Sequence, residues 1–171
     1  MITFGIDPGS RRTGWGAIRA EGSRLLLLGC GLIEADEESP LPSRLGIVAR
    51  GLREALLEQR PDAIYIESMF HHQNAKTAFV LAHARGVALL VAGEQGCPVR
   101  ELSPAEVKKA VTGSGRAEKG QVQEMVKVLL GMERRAQADT ADALAVAIAG
   151  AAAHRWLEAT ERAQKGRGGA R

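Results

Sequence analysis

The chain has 171 residues and a mass of 18.2 kDa, with 45% hydrophobic and 25% charged side chains. That composition suits one ordinary globular domain and excludes disorder throughout. The net charge of +3 comes entirely from the stretch His154 to Arg171, which holds five basic and two acidic residues, so bulk charge identifies no partner.

Cys30 and Cys97 lie far apart without metal-type spacing, and neither a basic-then-apolar leader nor a run of about 20 uncharged apolar residues is present. The expectation is a cytoplasmic protein without disulfides, zinc or a membrane span.

Ile2, Phe4 and Ile6 alternate with Thr3, Gly5 and Asp7, the period of a half-buried strand that Pro8-Gly9-Ser10 ends. Gly14 to Arg19 and Arg24 to Glu34 are two further strands joined through Glu21-Gly22-Ser23, which makes an antiparallel meander. Gly29 and Gly31 suggest a bulge or a close backbone approach in the second of these.

A helix starts near Leu41-Pro42-Ser43, with Leu45, Val48, Leu52, Leu56 and Leu57 at helical spacing, and Pro61-Asp62 stops it. Ala63 to Glu67 is short and apolar enough for a sheet interior, so the order strand, helix, strand implies a parallel crossover. Asn74 to Glu94 is a helix apolar nearly all round. A helix of that kind must be covered on more than one side, and the second cover is expected to be a partner interface, the alternative being ordinary burial under the C-terminal helices.

Pro98 to Leu102 is a fifth strand, and Ser103-Pro104-Ala105-Glu106 is a capping box that opens a helix ending at Thr112-Gly113. Val122, Met125, Val126, Leu129 and Leu130 define another helix, closing at Gly131, and Asp139 to Trp156 forms an Ala-rich one with Leu144 and Ile148 inward. The pattern βββαβαβααα is a mixed α/β domain over 1–155, followed by a basic, flexible tail over 156–171.

Four acids stand out by position. Asp7 closes the first strand, Glu67 closes the fourth, and Asp139 and Asp142 share one face at the start of the last helix. Each has a plain explanation of its own: a turn residue, a strand end meeting solvent, and helix-capping acids. If the first and fourth strands are parallel neighbours, however, Asp7 and Glu67 meet at one sheet edge, and the last helix need only lay its N-terminus there.

Two carboxylates about 4 Å apart repel by about 4 kcal/mol at an effective dielectric near 20, so such a cluster needs a cation or shared protons. Oxygen-only ligation without His or Cys suits Mg²⁺ or Mn²⁺, and a pair of such ions is a standard device for phosphodiester hydrolysis. Lys108 and Lys119, the latter after Gly113-Ser114-Gly115-Arg116, are placed for phosphate contact or form a solvated basic face. Phe70 sits in a polar loop, free to stack on a base or to pack the loop, while Arg11 and Arg12 beside Asp7 are further phosphate candidates.

The ordered set Gly5-Ile6-Asp7-Pro8-Gly9-Ser10, Thr13-Gly14-Trp15-Gly16, Leu41-Pro42-Ser43-Arg44-Leu45, Glu67-Ser68-Met69-Phe70, Arg85-Gly86-Val87-Ala88, Val107-Lys108, Ala117-Glu118-Lys119 and Gln137 to Ala145 resembles the RuvC family of Holliday-junction resolvases, from residue 2 to about 150. The resemblance implies an RNase H-like fold with a five-stranded mixed sheet. It further implies catalytic, metal-binding roles for Asp7, Glu67, Asp139 and Asp142, two Mg²⁺ per site with Mn²⁺ as substitute, and DNA contacts from Lys108, Lys119 and Phe70. A homodimer through the helix from Asn74, RuvA and RuvB as partners, and nicks leaving 5′-phosphate and 3′-hydroxyl are implied as well. His71-His72 departs from the family's more apolar choice.

Two rival readings remain at this level. One is a non-catalytic junction-binding module. The other is an ATPase domain of the actin and sugar-kinase kind, whose first phosphate loop the Gly5–Ser10 segment resembles; that architecture needs two domains, which 171 residues do not supply.

Overall fold

The computed structural model describes residues 1–68 and 74–168, with side chains through residue 154. Strands β1 (Ile2–Asp7), β2 (Arg12–Glu21), β3 (Arg24–Glu34), β4 (Ala63–Glu67) and β5 (Val99–Leu102) form one five-stranded sheet in the order β3-β2-β1-β4-β5. The meander pairs antiparallel, while β1–β4 and β4–β5 pair parallel, as the intervening helices require.

Alternation along the strands sorts the core into two layers. Phe4, Ile6, Ala17, Ile64 and Ile66 face α1 (Leu41–Gln59) and α2 (Ala75–Gly93), meeting Val48, Leu52, Leu56, Ala88 and Val91. Ile18, Ala63 and Tyr65 face the opposite way, toward α3 (Pro104–Thr112), α4 (Lys119–Leu129) and α5 (Ala138–Gly168), where Val107, Val122, Val126, Leu144 and Ile148 close the second layer.

Several bounds differ from the sequence expectations. β2 runs from Arg12 to Glu21 because its ladder with β3 continues from Arg12↔Glu34 to Glu21↔Arg24, beyond the apolar segment. Its register shifts between Ala17 and Ile18, next to Gly29 on the partner strand, where the bulge was expected. Leu57 is 68% exposed, because it sits about 100° around α1 from buried Leu56. α4 begins a turn before its first apolar residue: the Gln121 side chain accepts a hydrogen bond from the Glu118 N–H at 2.9 Å and fixes an earlier start. α5 continues past Trp156 to Gly168, since no Gly or Pro interrupts 157–165.

Among the described residues α2 is covered on one side only. Ala84, Ala88, Val91 and Ala92 are buried, whereas Phe79 is 69% and Leu90 62% exposed. Beside them Leu45, Ala82, Gly86 and Val87 line a groove of about 440 Å³ between α1 and α2. By length and composition α2 is apolar enough to cross a bilayer, but its buried face and an Arg85–Glu101 ion pair tie it to the sheet.

Candidate active site

The two-residue period of β1 carries straight into the site. Thr3 and Gly5 face α5: the Thr3 hydroxyl donates to the Ala147 carbonyl at 3.1 Å, and a Cβ added at Gly5 would overlap the Ala143 carbonyl. α5 therefore runs antiparallel to β1, descending one turn for every two strand residues. The next residue on that face, Asp7, meets the first turns of α5, which carry Asp139 and Asp142. β4 follows the same rule, since Ala63 and Tyr65 belong to the α5 layer and Glu67 comes next, one residue beyond the Ile6↔Ile66 pair.

Close approach of the helix depends on small residues. A Cβ at Gly14 would overlap the Asp139 carbonyl, so only glycine lets the first turn of α5 rest on β2. After Asp7, the Thr13 hydroxyl donates to the Gly9 carbonyl at 2.6 Å and accepts from the Gly9 N–H at 3.2 Å, which fixes the turn leading out of the site.

Electrostatics report the convergence. Asp7 is pushed up from 3.8 to about 7, first by burial and then by the charges of Glu67, Asp142 and Asp139, with Lys119 opposing. Glu67 is also raised, by burial and then by Asp142, against Lys119 and Lys108. The Lys119 ammonium donates to Asp142 Oδ2 at 2.6 Å, and this hydrogen bond is the first cause of its own raised pKa. Arg12 Nε lies 3.3 Å from Asp139 Oδ2.

Among the described residues no three metal-ligating side chains stand close enough to share an ion. The acids occupy one neighbourhood without forming a closed cage, and protein cations hold two of them. The donor set itself, carboxylates with no His or Cys, fits a hard divalent cation.

Two clefts flank the acids. The larger, about 760 Å³, is bordered by Asp7, Glu67 and Asp139 together with Arg11, Arg12 and Pro104. The smaller, about 200 Å³, lies beyond Glu67, which borders both, and is lined by Asp142, Lys108 and Lys119. The capping box of α3 places Lys108 there: the Ser103 hydroxyl accepts from the Glu106 N–H at 3.3 Å, and Glu106 Oε2 accepts from the Ser103 N–H at 2.7 Å.

The other sequence candidates fall in different places. Arg11 pairs with Glu37 and Arg12 bridges Glu34 and Asp139, so both spend their charge on carboxylates. Arg116 is exposed and borders neither cleft. Phe70, His71 and His72 lie outside the described residues. Sequence reasoning missed Arg44 and Lys76, which line the larger cleft. Arg44 falls inside one of the motifs quoted above, Leu41-Pro42-Ser43-Arg44-Leu45, but periodicity alone gave it no role.

A sequence model of the family described as crossover junction endodeoxyribonuclease RuvC matches residues 3–150. The crossover junction endodeoxyribonuclease RuvC of Citrifermentans bemidjiense is 46% identical over 148 residues, covering 86% of this chain and 90% of that protein. The structure of Thermus thermophilus RuvC superposes with a TM-score of 0.83 at 32% identity, covering 91% of this chain and 96% of that one. A second structure of that RuvC, in complex with a Holliday junction substrate, also gives 0.83, at 30% identity over the same shares of the two chains. With its sequence and its fold both matched along most of its length, the chain belongs to the RuvC family of crossover junction endodeoxyribonucleases.

Proposed function

We propose that this protein resolves four-way DNA junctions by a pair of metal-dependent nicks, with Asp7, Glu67, Asp139 and Asp142 as the metal-binding, catalytic acids. The observation that carries this reading is Asp7: a carboxyl pushed up to about 7 by burial and by three other carboxylates, at the floor of an open cleft. Buried, mutually repelling carboxylates beside an open cleft are what a site for hard divalent cations in phosphodiester hydrolysis requires.

Bound Mg²⁺, two ions per site with Mn²⁺ able to replace them, would supply charge stabilisation at the phosphoryl oxygens and activation of water. The chain's own groups do the rest. The four carboxylates provide hard oxygen ligands, and Asp7 releases the proton that its surroundings favour near neutral pH. Lys119 exchanges Asp142 for a phosphate oxygen, which frees that carboxylate, while Lys108 holds the same stretch of backbone. Phe70 stacks on a base near the crossover. The products carry a 5′-phosphate and a 3′-hydroxyl.

Phe79 and Leu90 on the open side of α2 support a homodimer through that helix. A two-fold dimer presents one site to each of the two equivalent strands of a junction. RuvA and RuvB as branch-migration partners, and a cytoplasmic location, complete the proposal. The loop Gly5–Ser10 that suggested an ATPase domain lies within the matched span 3–150, which leaves the ATPase reading without an observation of its own.

The test is cleavage of a synthetic four-way junction against linear duplex of the same sequence, with Mg²⁺ or with chelator. Paired nicks in the junction alone, and only with metal, are expected. Asp7→Asn, Glu67→Gln and Asp142→Asn should each abolish cutting and keep junction binding. A wild type that binds and never nicks would establish the non-catalytic module instead.

A further inference from the structure

We propose that Arg44 binds a phosphate of the strand being cut, on the far side of the carboxylate cluster from Lys108 and Lys119. This rests on the endonuclease reading and adds to it the path of the strand across the site.

Arg44 lies in the first turn of α1, which opens with Pro42 in its first positions. The side chain lines that cleft together with Asp7, Glu67 and Asp139. Its Nε is buried without a hydrogen-bond partner, and among the described residues no carboxylate or carbonyl meets its guanidinium. A buried donor left unmade is costly, and a charged one more so.

The contrast with neighbouring arginines is sharp. Arg11 is held by Glu37, and Arg12 by Glu34 and Asp139. Farther away, Arg53 is held by Glu94 and Arg135 by Glu124. Arg44 therefore faces a ligand site with its charge uncommitted. Lys76 of α2 lines the same cleft, also without a carboxylate partner among the described residues.

The ligand must be an anion that tolerates nearby carboxylates. A phosphodiester meets that condition, since it arrives with its own cations and offers two oxygens to a guanidinium fork. Glu67 borders both clefts, with Lys108 and Lys119 in the smaller and Arg44 in the larger. A strand crossing the acids is then gripped at two different phosphates, one on each side of the bond to be cut. That places the scissile phosphate over the carboxylates without spending a catalytic group on holding it.

Junction binding is measured across a salt series in chelator for wild type, Arg44→Gln, Arg44→Lys and Arg50→Gln, the last removing an exposed charge from the same helix. Arg44→Gln should lose about tenfold in affinity and lower the slope of log K against log salt by about one. Arg44→Lys should keep the slope and lose part of the affinity, and Arg50→Gln should match wild type. All should melt at or above the wild-type temperature.

Single neutral methylphosphonates around the cut then locate the contact. Wild type should lose affinity at a position where Arg44→Gln is insensitive, and that position should differ from the one to which Lys119→Ala is insensitive. A wild-type slope in Arg44→Gln, or one shared position for both variants, would overturn the placement. Failure of the wild type to prefer the junction would overturn the endonuclease reading itself.

Discussion

Asp7 shows how a single side chain records its surroundings. In the unfolded chain its carboxyl titrates near 3.8, and in the fold near 7, so between those values the folded state holds the extra proton. Stability therefore falls as pH rises through that window, by up to about 4 kcal/mol in the absence of metal. Asp7→Asn removes the penalty. In chelator the variant should melt several degrees above wild type at pH 8, with the gap closing toward pH 4, as followed by circular dichroism. An equal gap at both pH values would count against a buried, repelled carboxylate. Lys119 bears on the same cluster from the other side: Lys119→Ala leaves Asp142 without its 2.6 Å partner. It should lower the salt slope of junction binding by about one unit, measured by titration.

At the scale of elements, the site exists because α5 lies on glycine. Gly5 and Gly14 let the helix touch the sheet backbone, and the first turn of that helix carries Asp139. Gly14→Ala forces the helix start away from β2 and should destabilise the protein by about 1–3 kcal/mol in urea denaturation. It should also reduce cleavage far more than junction binding, because it moves Asp139 and Asp142 relative to Asp7 while the basic clefts remain. The capping box at Ser103 is a milder case. Ser103→Ala should cost about 1 kcal/mol by the same measurement, loosening the helix that bears Lys108. Ser103-Pro104-Ala105-Glu106 could be read from sequence because every partner lies within four residues. The two-residue period of β1 could be read likewise, whereas the reason for Gly14 could not: its partner is Asp139, more than a hundred residues away.

At the scale of the whole molecule, α2 is the unfinished part. One face is buried against the sheet layer and the other presents Phe79 and Leu90 beside an apolar groove. If the proposed homodimer forms through this face, Phe79→Asp with Leu90→Asp should yield a folded monomer, seen as a halved mass in sedimentation and as loss of the concentration dependence of the melting temperature. Nicks on the two strands of a junction should then lose their pairing.

The order of strands and helices, the caps, and the placing of an acid at the ends of β1 and β4 followed from residues near one another in the chain, because periodicity and capping are local. That Asp7 and Glu67 would share an edge was legible as a condition, since parallel neighbours at β1 and β4 make it so. The fold alone decided which cations neutralise which acids. Arg12 and Lys119 reach Asp139 and Asp142, while Arg44 reaches no carboxylate among the described residues. It also decided that the apolar helix presents Phe79 and Leu90 uncovered among the described residues. Pairing and exposure depend on distances between segments far apart along the chain, and local pattern carries no record of those distances.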